Sequence, residues 1–265
     1  MSGEVLQFDD VFVASEDRRP ILRGIDWQVG NGERWVVLGP NGAGKSTLLH
    51  IAATYRFPTR GNVSVLSNRL GTVDVRQLRR GIGYAGAELE KLMNERMSIL
   101  DTVLTGERAH LSRWHDTYSD ADRAHAAALA ADMGLSGMED RILGTLSQGE
   151  RRRAHVARAL MAKPRLLLLD EAAAGLDIAG REHLIAVLAD LAAGPLAAIV
   201  FVTHHAEEIP PGFTHALLLR DGGVVGAVPI REVLTDAALS ACFGLALEVE
   251  HDAGRFRARA ARPPA

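Results

Sequence analysis

The chain has little cysteine and no long apolar run. Cys242 is the single cysteine, so no intramolecular disulfide can form, which fits a reducing compartment. No segment approaches the roughly 18–20 consecutive apolar residues of a membrane span, and the runs at 166–169 and 197–202 are short enough to be buried strands. The N-terminal segment carries early acidic residues and lacks a signal-peptide pattern. We therefore expect a cytoplasmic protein that reaches a membrane, if at all, from its cytosolic face through another subunit.

The chain also lacks an excess of charge of either sign. It contains 30 Lys and Arg against 33 Asp and Glu, a formal charge of −3, so its composition indicates no direct nucleic-acid partner. Hydrophobic residues make up 47% and charged residues 24%, which is typical of globular proteins. Its 265 residues allow one large α/β domain or two small ones.

The most informative stretch that is present is a glycine-rich loop between a predicted strand and a predicted helix. It fits G-x-x-x-x-G-K-[ST] and consists of Gly39, Pro40, Asn41, Gly42, Ala43, Gly44, Lys45, Ser46 and Thr47. Glycines let the backbone curl around an anion, and the amide groups with the helix N-terminus direct positive charge at phosphates. Lys45 is predicted to reach the β- and γ-phosphates, and Ser46 to hold Mg²⁺. The alternative, a glycine-rich turn without a ligand, leaves the Lys-Ser pair unexplained.

A second motif is the run of four leucines at 166–169, which ends in Asp170 and Glu171. A buried parallel strand delivers a carboxylate at its C-terminal end, beside the phosphate loop, as in a Walker B strand. Asp170 is then predicted to hold Mg²⁺, and Glu171 to orient and activate the attacking water. The alternative is a solvated acidic turn after a core strand, which the upstream phosphate loop disfavours.

A third motif, Ser147-Gln148-Gly149-Glu150, opens a predicted helix that extends to about Met161. Ser-x-x-Glu is a capping box that any helix could use, and this interpretation leaves Gly149 unexplained. A serine, a glycine and a helix N-terminus together also form an anion site. By itself the motif does not decide between the two.

The remaining patterns give a coarse organisation. Residues 6–13 and 21–29 predict a pair of β-strands, and residues 88–145, rich in alanine at helical spacing, predict an inserted helical subdomain with a polar connector at 114–122. A helical piece is predicted at 230–243. The C-terminal part, 246–265, predicts a β-hairpin followed by a loose end from Ala260 onward. Residues 1–245 would form the main domain.

The motifs together carry a family resemblance. The phosphate loop and the segments 146–150, 169–171, 174–177 and 203–204 occur in the order and spacing of an ABC-type ATPase, and the resemblance covers residues 6–228. It implies an α/β fold with a RecA-like P-loop NTPase core, an antiparallel β-subdomain and an inserted α-helical subdomain. It also implies Mg-ATP as the substrate form.

The resemblance further implies a head-to-tail dimer with two ATP molecules between subunits. Ser147 and Gly149 would contact the γ-phosphate held by the partner's phosphate loop, and Asp177 would lie in a loop that crosses the interface. His204 would be the histidine that contacts the γ-phosphate, although a lone histidine is more often structural. His205 is predicted to be a surface residue.

Two positions depart from the family pattern. Members usually carry a metal-binding glutamine where this chain has Ala87, and Glu88 or Glu90 could replace it. No aromatic residue occupies the expected adenine-stacking position, at Val13 or Ala14, and Phe12 is a possible substitute.

The function that these patterns imply is Mg²⁺-dependent hydrolysis of ATP by the energy-coupling subunit of an ABC transporter, working with a separate membrane subunit. One alternative is a soluble ABC ATPase that acts on a protein or nucleic-acid complex, which the absent glutamine leaves open. Another is an ATP-binding regulator with weak turnover, which the retention of Glu171 and His204 disfavours.

Overall fold

The computed structural model describes residues 3–112 and 116–261. These residues form twelve β-strands and nine α-helices. The strands are β1 (Glu4–Ala14), β2 (Pro20–Gly30), β3 (Glu33–Leu38), β4 (Arg60–Val65), β5 (Asn68–Arg69), β6 (Ile82–Ala85), β7 (Leu166–Asp170), β8 (Ala198–Val202), β9 (His215–Arg220), β10 (Gly223–Pro229), β11 (Leu247–Asp252) and β12 (Arg255–Ala260). The helices are α1 (Lys45–Ala52), α2 (Val75–Arg79), α3 (Ala87–Leu92), α4 (Ile99–Leu104), α5 (Asp120–Asp132), α6 (Gln148–Leu160), α7 (Ile178–Ala193), α8 (Ile230–Val233) and α9 (Asp236–Phe243).

A six-stranded sheet in the order β10-β9-β3-β8-β7-β6 forms the centre of the fold. Its strands run parallel except β10, which pairs antiparallel with β9. Strand β3 shows why the apolar runs are continuous: Trp35 and Val37 pack into one hydrophobic cluster, and Val36 and Leu38 into the other. A strand buried on both faces needs apolar residues at successive positions. The predicted α/β class with a P-loop core is confirmed.

A second sheet, in the order β2-β1-β4-β5, is antiparallel throughout. It contains the predicted pairing of residues 6–13 with 21–29, since β1 and β2 lie side by side. Trp27, whose alternation with polar neighbours predicts an inward side chain, is 3% exposed. The antiparallel β-subdomain predicted from the family resemblance is therefore present.

The segment between β6 and β7 is helical, as predicted for residues 88–145, and contains α3, α4, α5 and two short 3₁₀ turns at Thr105–Arg108 and Leu143–Thr145. The predicted polar connector at 114–122 is wrong at its C-terminal end, because α5 begins at Asp120. A capping box causes the early start: the Asp122 amide donates to Ser119 Oγ, and the Asp122 carboxylate accepts from the Ser119 amide. Residues 114 and 115 of the predicted connector lie outside the described part of the chain.

The C-terminal region also departs in detail from the prediction. The helical piece at 230–243 consists of two helices, because Thr235 has an extended backbone conformation and caps the N-terminus of α9. The predicted hairpin is present as β11 and β12, and Ala260 belongs to β12 rather than to a loose end. Positions 262–265 lie outside the described residues. No helix among those described is both long enough and apolar enough to cross a bilayer.

Candidate functional site

The phosphate loop, residues 39–47, leaves the C-terminal end of β3 and enters α1. Gly39, Gly42 and Gly44 all have φ between 80° and 158°, the region that side chains other than hydrogen rarely allow. A Cβ on Gly39 would lie 2.0 Å from the Leu219 carbonyl oxygen, and one on Gly44 would lie 2.7 Å from a Leu22 methyl carbon. Close packing against β9 and β2 therefore also requires glycine at positions 39 and 44. From the sequence alone, phosphate binding is the only reason given for these glycines.

Lys45 lies at the start of α1 and is 5% exposed. Its Nζ atom donates to the Gly39 carbonyl at 2.7 Å and to the Pro40 carbonyl at 3.0 Å. Burial lowers the pKa of Lys45, while the charges of Glu171 and Asp170 oppose that shift. The ammonium group is therefore held against two carbonyl groups of its own loop.

Asp170 ends β7 and is 6% exposed. Burial raises its pKa to about 6, while a hydrogen bond from Ser46 and the charge of Lys45 act in the opposite direction. Its Oδ1 atom is buried and has no hydrogen-bond partner among the described residues. A buried carboxylate oxygen without a partner, beside a hydroxyl, suits a hard divalent cation. The two predicted metal ligands, Ser46 and Asp170, are thus brought together and fit Mg²⁺.

Glu171 and His204 lie at the ends of neighbouring strands, β7 and β8. Glu171 has φ 51°, and its amide donates to the Val202 carbonyl at 3.0 Å. His204 Nδ1 lies 3.6 Å from Glu171 Oε1, and about a third of each side chain is exposed. The structure therefore brings the two predicted catalytic side chains together at one edge of the sheet.

The loop that carries His204 is fixed by Thr203, which is fully buried and donates from its hydroxyl to the Glu208 carboxylate. The same hydroxyl oxygen accepts from the His205 amide at 3.1 Å. His205 is exposed, as the sequence predicts, and its ring lies 4.1 Å from that of His204.

Ser147 caps α6, and its capping box with Glu150 is complete, so the local interpretation of this motif is correct. The structure also explains Gly149: a Cβ there would lie 3.1 Å from Leu176 Cδ2. This contact between α6 and the loop before α7 is invisible in the sequence, because 27 positions separate the two residues. No hydrogen bond or ion pair within residues 3–112 and 116–261 joins Ser147 or Gly149 to the phosphate loop of the same chain.

Asp177 caps α7 by accepting from the Gly180 amide at 2.7 Å. It is exposed, and its neighbour Ile178 is 74% exposed. Ser147 and Gln148 are exposed as well. The residues that the family resemblance places opposite a partner therefore lie on the surface.

Ala87 begins α3 and is exposed. Glu88 pairs with Lys91 at 2.6 Å in solvent, and this contact lowers the pKa of Glu88. Glu90 is largely buried and pairs with Arg152 of α6 at 2.8 Å. Each carboxylate already has a cationic partner, and Arg152, the partner of Glu90, also lowers the pKa of Asp170 against the effect of burial. The replacement of the absent glutamine by Glu88 or Glu90 stays a prediction.

Phe12 is half-buried, and the Arg60 guanidinium carbon lies 5.4 Å from the centre of its ring. One face of the ring is thus covered by a cation rather than left open for a base. The suggestion that Phe12 stacks on adenine stays a prediction.

Comparisons with known proteins identify the family of this chain. The family model described as ABC transporter matches residues 22–174. YlmA of Bacillus subtilis strain 168, an uncharacterized ABC transporter ATP-binding protein, is 42% identical over 247 residues, covering 92% of this chain and 93% of YlmA. An ABC transporter ATP-binding protein of Streptococcus mutans serotype c is 36% identical over 220 residues, covering 83% of this chain and 84% of its own.

The fold agrees as well. The dimeric structure of MJ0796, a bacterial ABC transporter cassette, matches with a TM-score of 0.77 at 23% identity, over 85% of this chain and 99% of that one, which shows a shared fold. The chain belongs to the ABC transporter family, as one of its ATP-binding subunits, and is an ATPase.

Proposed function

We propose that this chain couples the binding and hydrolysis of Mg-ATP to transport through the residues assembled at the carboxyl end of the central sheet. The observation that carries the assignment is the meeting of the phosphate loop, Asp170, Glu171 and His204 at the ends of three adjacent strands, β3, β7 and β8. In open parallel sheets, ligands bind in the crevice beyond these strand ends.

Each side chain has a defined task in this proposal. Amide groups of the loop and Lys45 bind the phosphates and stabilise negative charge that develops during phosphoryl transfer. Glu171 orients the attacking water and accepts its proton, and His204, 3.6 Å away, holds the carboxylate and contacts the γ-phosphate. Ser46 and Asp170 would hold Mg²⁺, which neutralises phosphate charge when bound.

We further propose that the active unit is a head-to-tail dimer with a second copy of this chain or a homologous ATPase subunit. Two observations support this arrangement. Among the described residues, no hydrogen bond or ion pair joins Ser147 or Gly149 to the phosphate loop, and Ile178 beside Asp177 exposes 74% of its surface. A partner that supplies a phosphate loop to Ser147 would also cover Ile178.

We also propose that the partner is a separate multi-span membrane subunit and that the chain works on the cytosolic face of the membrane. Relatives are named for transport: PhnC of Bordetella parapertussis, 33% identical, is a phosphonates import ATP-binding protein.

The test is affinity purification of the tagged full chain from detergent-solubilised membranes, with and without ATP, followed by mass spectrometry. A stoichiometric multi-span membrane protein that exchanges with the untagged chain supports the proposal. Co-purification of ribosomal or other soluble complexes that survives nuclease treatment, with no membrane protein, contradicts it and favours a soluble ABC ATPase. Overproducing an ATP-binding variant that is unable to hydrolyse, Glu171→Gln, should increase the yield of the complex.

A further inference from the structure

The C-terminal hairpin, β11–β12, lies outside the residues that match the family model, yet it contacts the segment that carries His204. The contact is made by Arg255, the first residue of β12. Its Nη2 atom donates to the Glu207 carbonyl oxygen at 2.6 Å, and its Nη1 atom donates to Glu182 Oε2 at 2.8 Å. One guanidinium thus joins three segments: β12, the turn after His204, and α7.

The Glu207 carbonyl needs an external donor because of the sequence that follows it. Residues Ala206–Glu208 form a single 3₁₀ turn, and the carbonyl at its end would ordinarily accept from an amide three or four positions later. Those positions are Pro210 and Pro211, neither of which carries an amide hydrogen. Arg255 supplies the missing hydrogen bond.

Glu182 links the same guanidinium to the other side of the site. It lies on α7, five positions after Asp177, which caps that helix. The hydrogen bond from Arg255 lowers the pKa of Glu182, so the pair is ionic at neutral pH. The loop before α7 packs against Gly149. Since Arg255 bonds both to Glu182 of α7 and to the turn after His204, it resists movement of either segment relative to the other.

The hairpin is anchored well enough to act as a support. Phe256, next to Arg255, is 7% exposed and belongs to the main hydrophobic cluster. The Val249 amide donates to Asp236 Oδ1 at 2.7 Å, and the Leu247 amide donates to Ser240 Oγ at 2.8 Å, so β11 is tied to α9. The backbone that carries the Arg255 guanidinium is therefore held in place by α9 and by the core packing of Phe256.

We propose that Arg255 is a positioning residue for ATP hydrolysis: it holds the turn that follows His204 at a fixed place relative to α7, and so keeps the His204 ring beside Glu171. The inference rests on the role proposed above for His204. Within the described part of the chain, no hydrogen bond or ion pair joins Arg255 to the phosphate loop or to Asp170, so its loss is expected to affect turnover and to leave nucleotide affinity unchanged.

The chain offers a matched control on the same strand. Arg259 also lies on β12, and its Nη2 atom pairs with Glu248 and Glu250 at 3.0 Å each, entirely within the hairpin. We expect Arg255→Ala to lower kcat about tenfold, with KM for ATP and the Kd of a fluorescent ATP analogue changed less than about twofold. Arg259→Ala should leave all three within about twofold. Arg255→Lys, which keeps the charge but not the two-pronged geometry, should fall between.

A double-mutant cycle with His204→Ala separates positioning from general structural damage. If Arg255 acts through His204, Arg255→Ala should change kcat by less than about twofold once His204 is already alanine. Multiplicative effects of the two substitutions would overturn the inference, as would equal losses in Arg255→Ala and Arg259→Ala. If His204→Ala itself leaves kcat unchanged, the proposed role of His204 fails first. If Arg255→Ala does not fold, Glu182→Ala in the same cycle tests the α7 side of the link.

Discussion

His204 Nδ1 lies 3.6 Å from Glu171 Oε1, and the two residues follow adjacent parallel strands, β8 and β7. The histidine and the carboxylate therefore face the same point in space without being neighbours in the sequence. The charges of Glu171 and Asp170 both act on the buried Lys45, so the pair adjoins the phosphate loop, and its role in activating water stays a prediction.

Replacing Glu171 by glutamine should abolish most hydrolysis and leave ATP binding intact, because the side chain handles water and not phosphate. We expect a loss in kcat of about 10²–10⁴-fold and the accumulation of an ATP-bound dimer in size-exclusion chromatography. Turnover of the variant at the rate of the natural chain would refute the assignment of Glu171 as the base.

Replacing Ser147 by arginine should block ATP-driven dimerisation, because a bulky cation would occupy the place of the partner's γ-phosphate. ATP binding to the monomer should be unchanged, and light scattering in a Glu171→Gln background measures the dimer. Ser119 offers a matched control, since it has the same capping box in α5. Ser119→Arg should lose about 1 kcal/mol of stability and still dimerise. Equal behaviour of the two variants would reduce Ser147 to a helix cap.

Replacing Ala87 by glutamine should shift the Mg²⁺ concentration that gives half-maximal activity, because an amide oxygen would be added at the start of α3, near Asp170. Glu88→Ala should leave that concentration nearly unchanged, since Glu88 pairs with Lys91 in solvent. A large loss of activity in Glu88→Ala would show that this carboxylate completes the metal shell. No effect of either change would mean that the metal site lies elsewhere.

Asp170 should destabilise the nucleotide-free protein at neutral pH. Its folded pKa of about 6 exceeds the unfolded value of 3.8, so the folded state binds more protons between these values and stability falls as pH rises through this window. Asp170→Asn should therefore raise the free energy of unfolding by up to about 3 kcal/mol at pH 8 and have little effect near pH 3.5. Urea unfolding measures both, and exposed Asp190→Asn is the control. A pH-independent effect would contradict this account.

Arg34 should be a major structural residue, although its charge and position suggest a surface side chain. It is 4% exposed and donates to the carbonyls of Ala192, Gly194 and Leu196 at 2.9–3.1 Å. These hydrogen bonds supply donors to carbonyls at the C-terminal end of α7 and just beyond it. Arg34→Met should lower the free energy of unfolding by about 2–4 kcal/mol, because three partly buried carbonyls lose a charged donor. Arg23→Met, at an exposed position on β2, should change it by less than about 0.5 kcal/mol. A similar effect of both would contradict the role of Arg34.

The parts of the site that sequence predicted are those in which the chemistry is local. Lys45 and Ser46 are adjacent at the start of the helix after the glycine loop, and Asp170 and Glu171 are adjacent at the end of an apolar strand, so local patterns are sufficient to place both pairs. The start of α5 was also readable, because Ser119 and Asp122 have the spacing of a capping box. The predicted connector at 114–122 does not take this capping box into account, so it extends past the start of α5.

The contacts that sequence did not reveal join distant positions. Gly149 with Leu176, Glu90 with Arg152, and Arg255 with Glu207 are each produced by packing of separate elements. No local pattern encodes which glutamate an arginine will meet, since many registers of the same helices satisfy the same periodicity. The proline pair after Ile209 was the one available sign that the Glu207 carbonyl would need an outside donor.

The parallel ladder β3-β8-β7 has a mechanical consequence. The phosphate loop follows β3, His204 follows β8 and Asp170 ends β7, and β8 is paired directly with β3 and with β7 over five positions each. Sliding one of these strands past its neighbour would break the whole ladder, so the amides of β3, β7 and β8 should be among the slowest in the protein to exchange with deuterium. We therefore expect conformational change during turnover to occur in the helical segment and the loops, while β3, β7 and β8 keep their positions relative to one another.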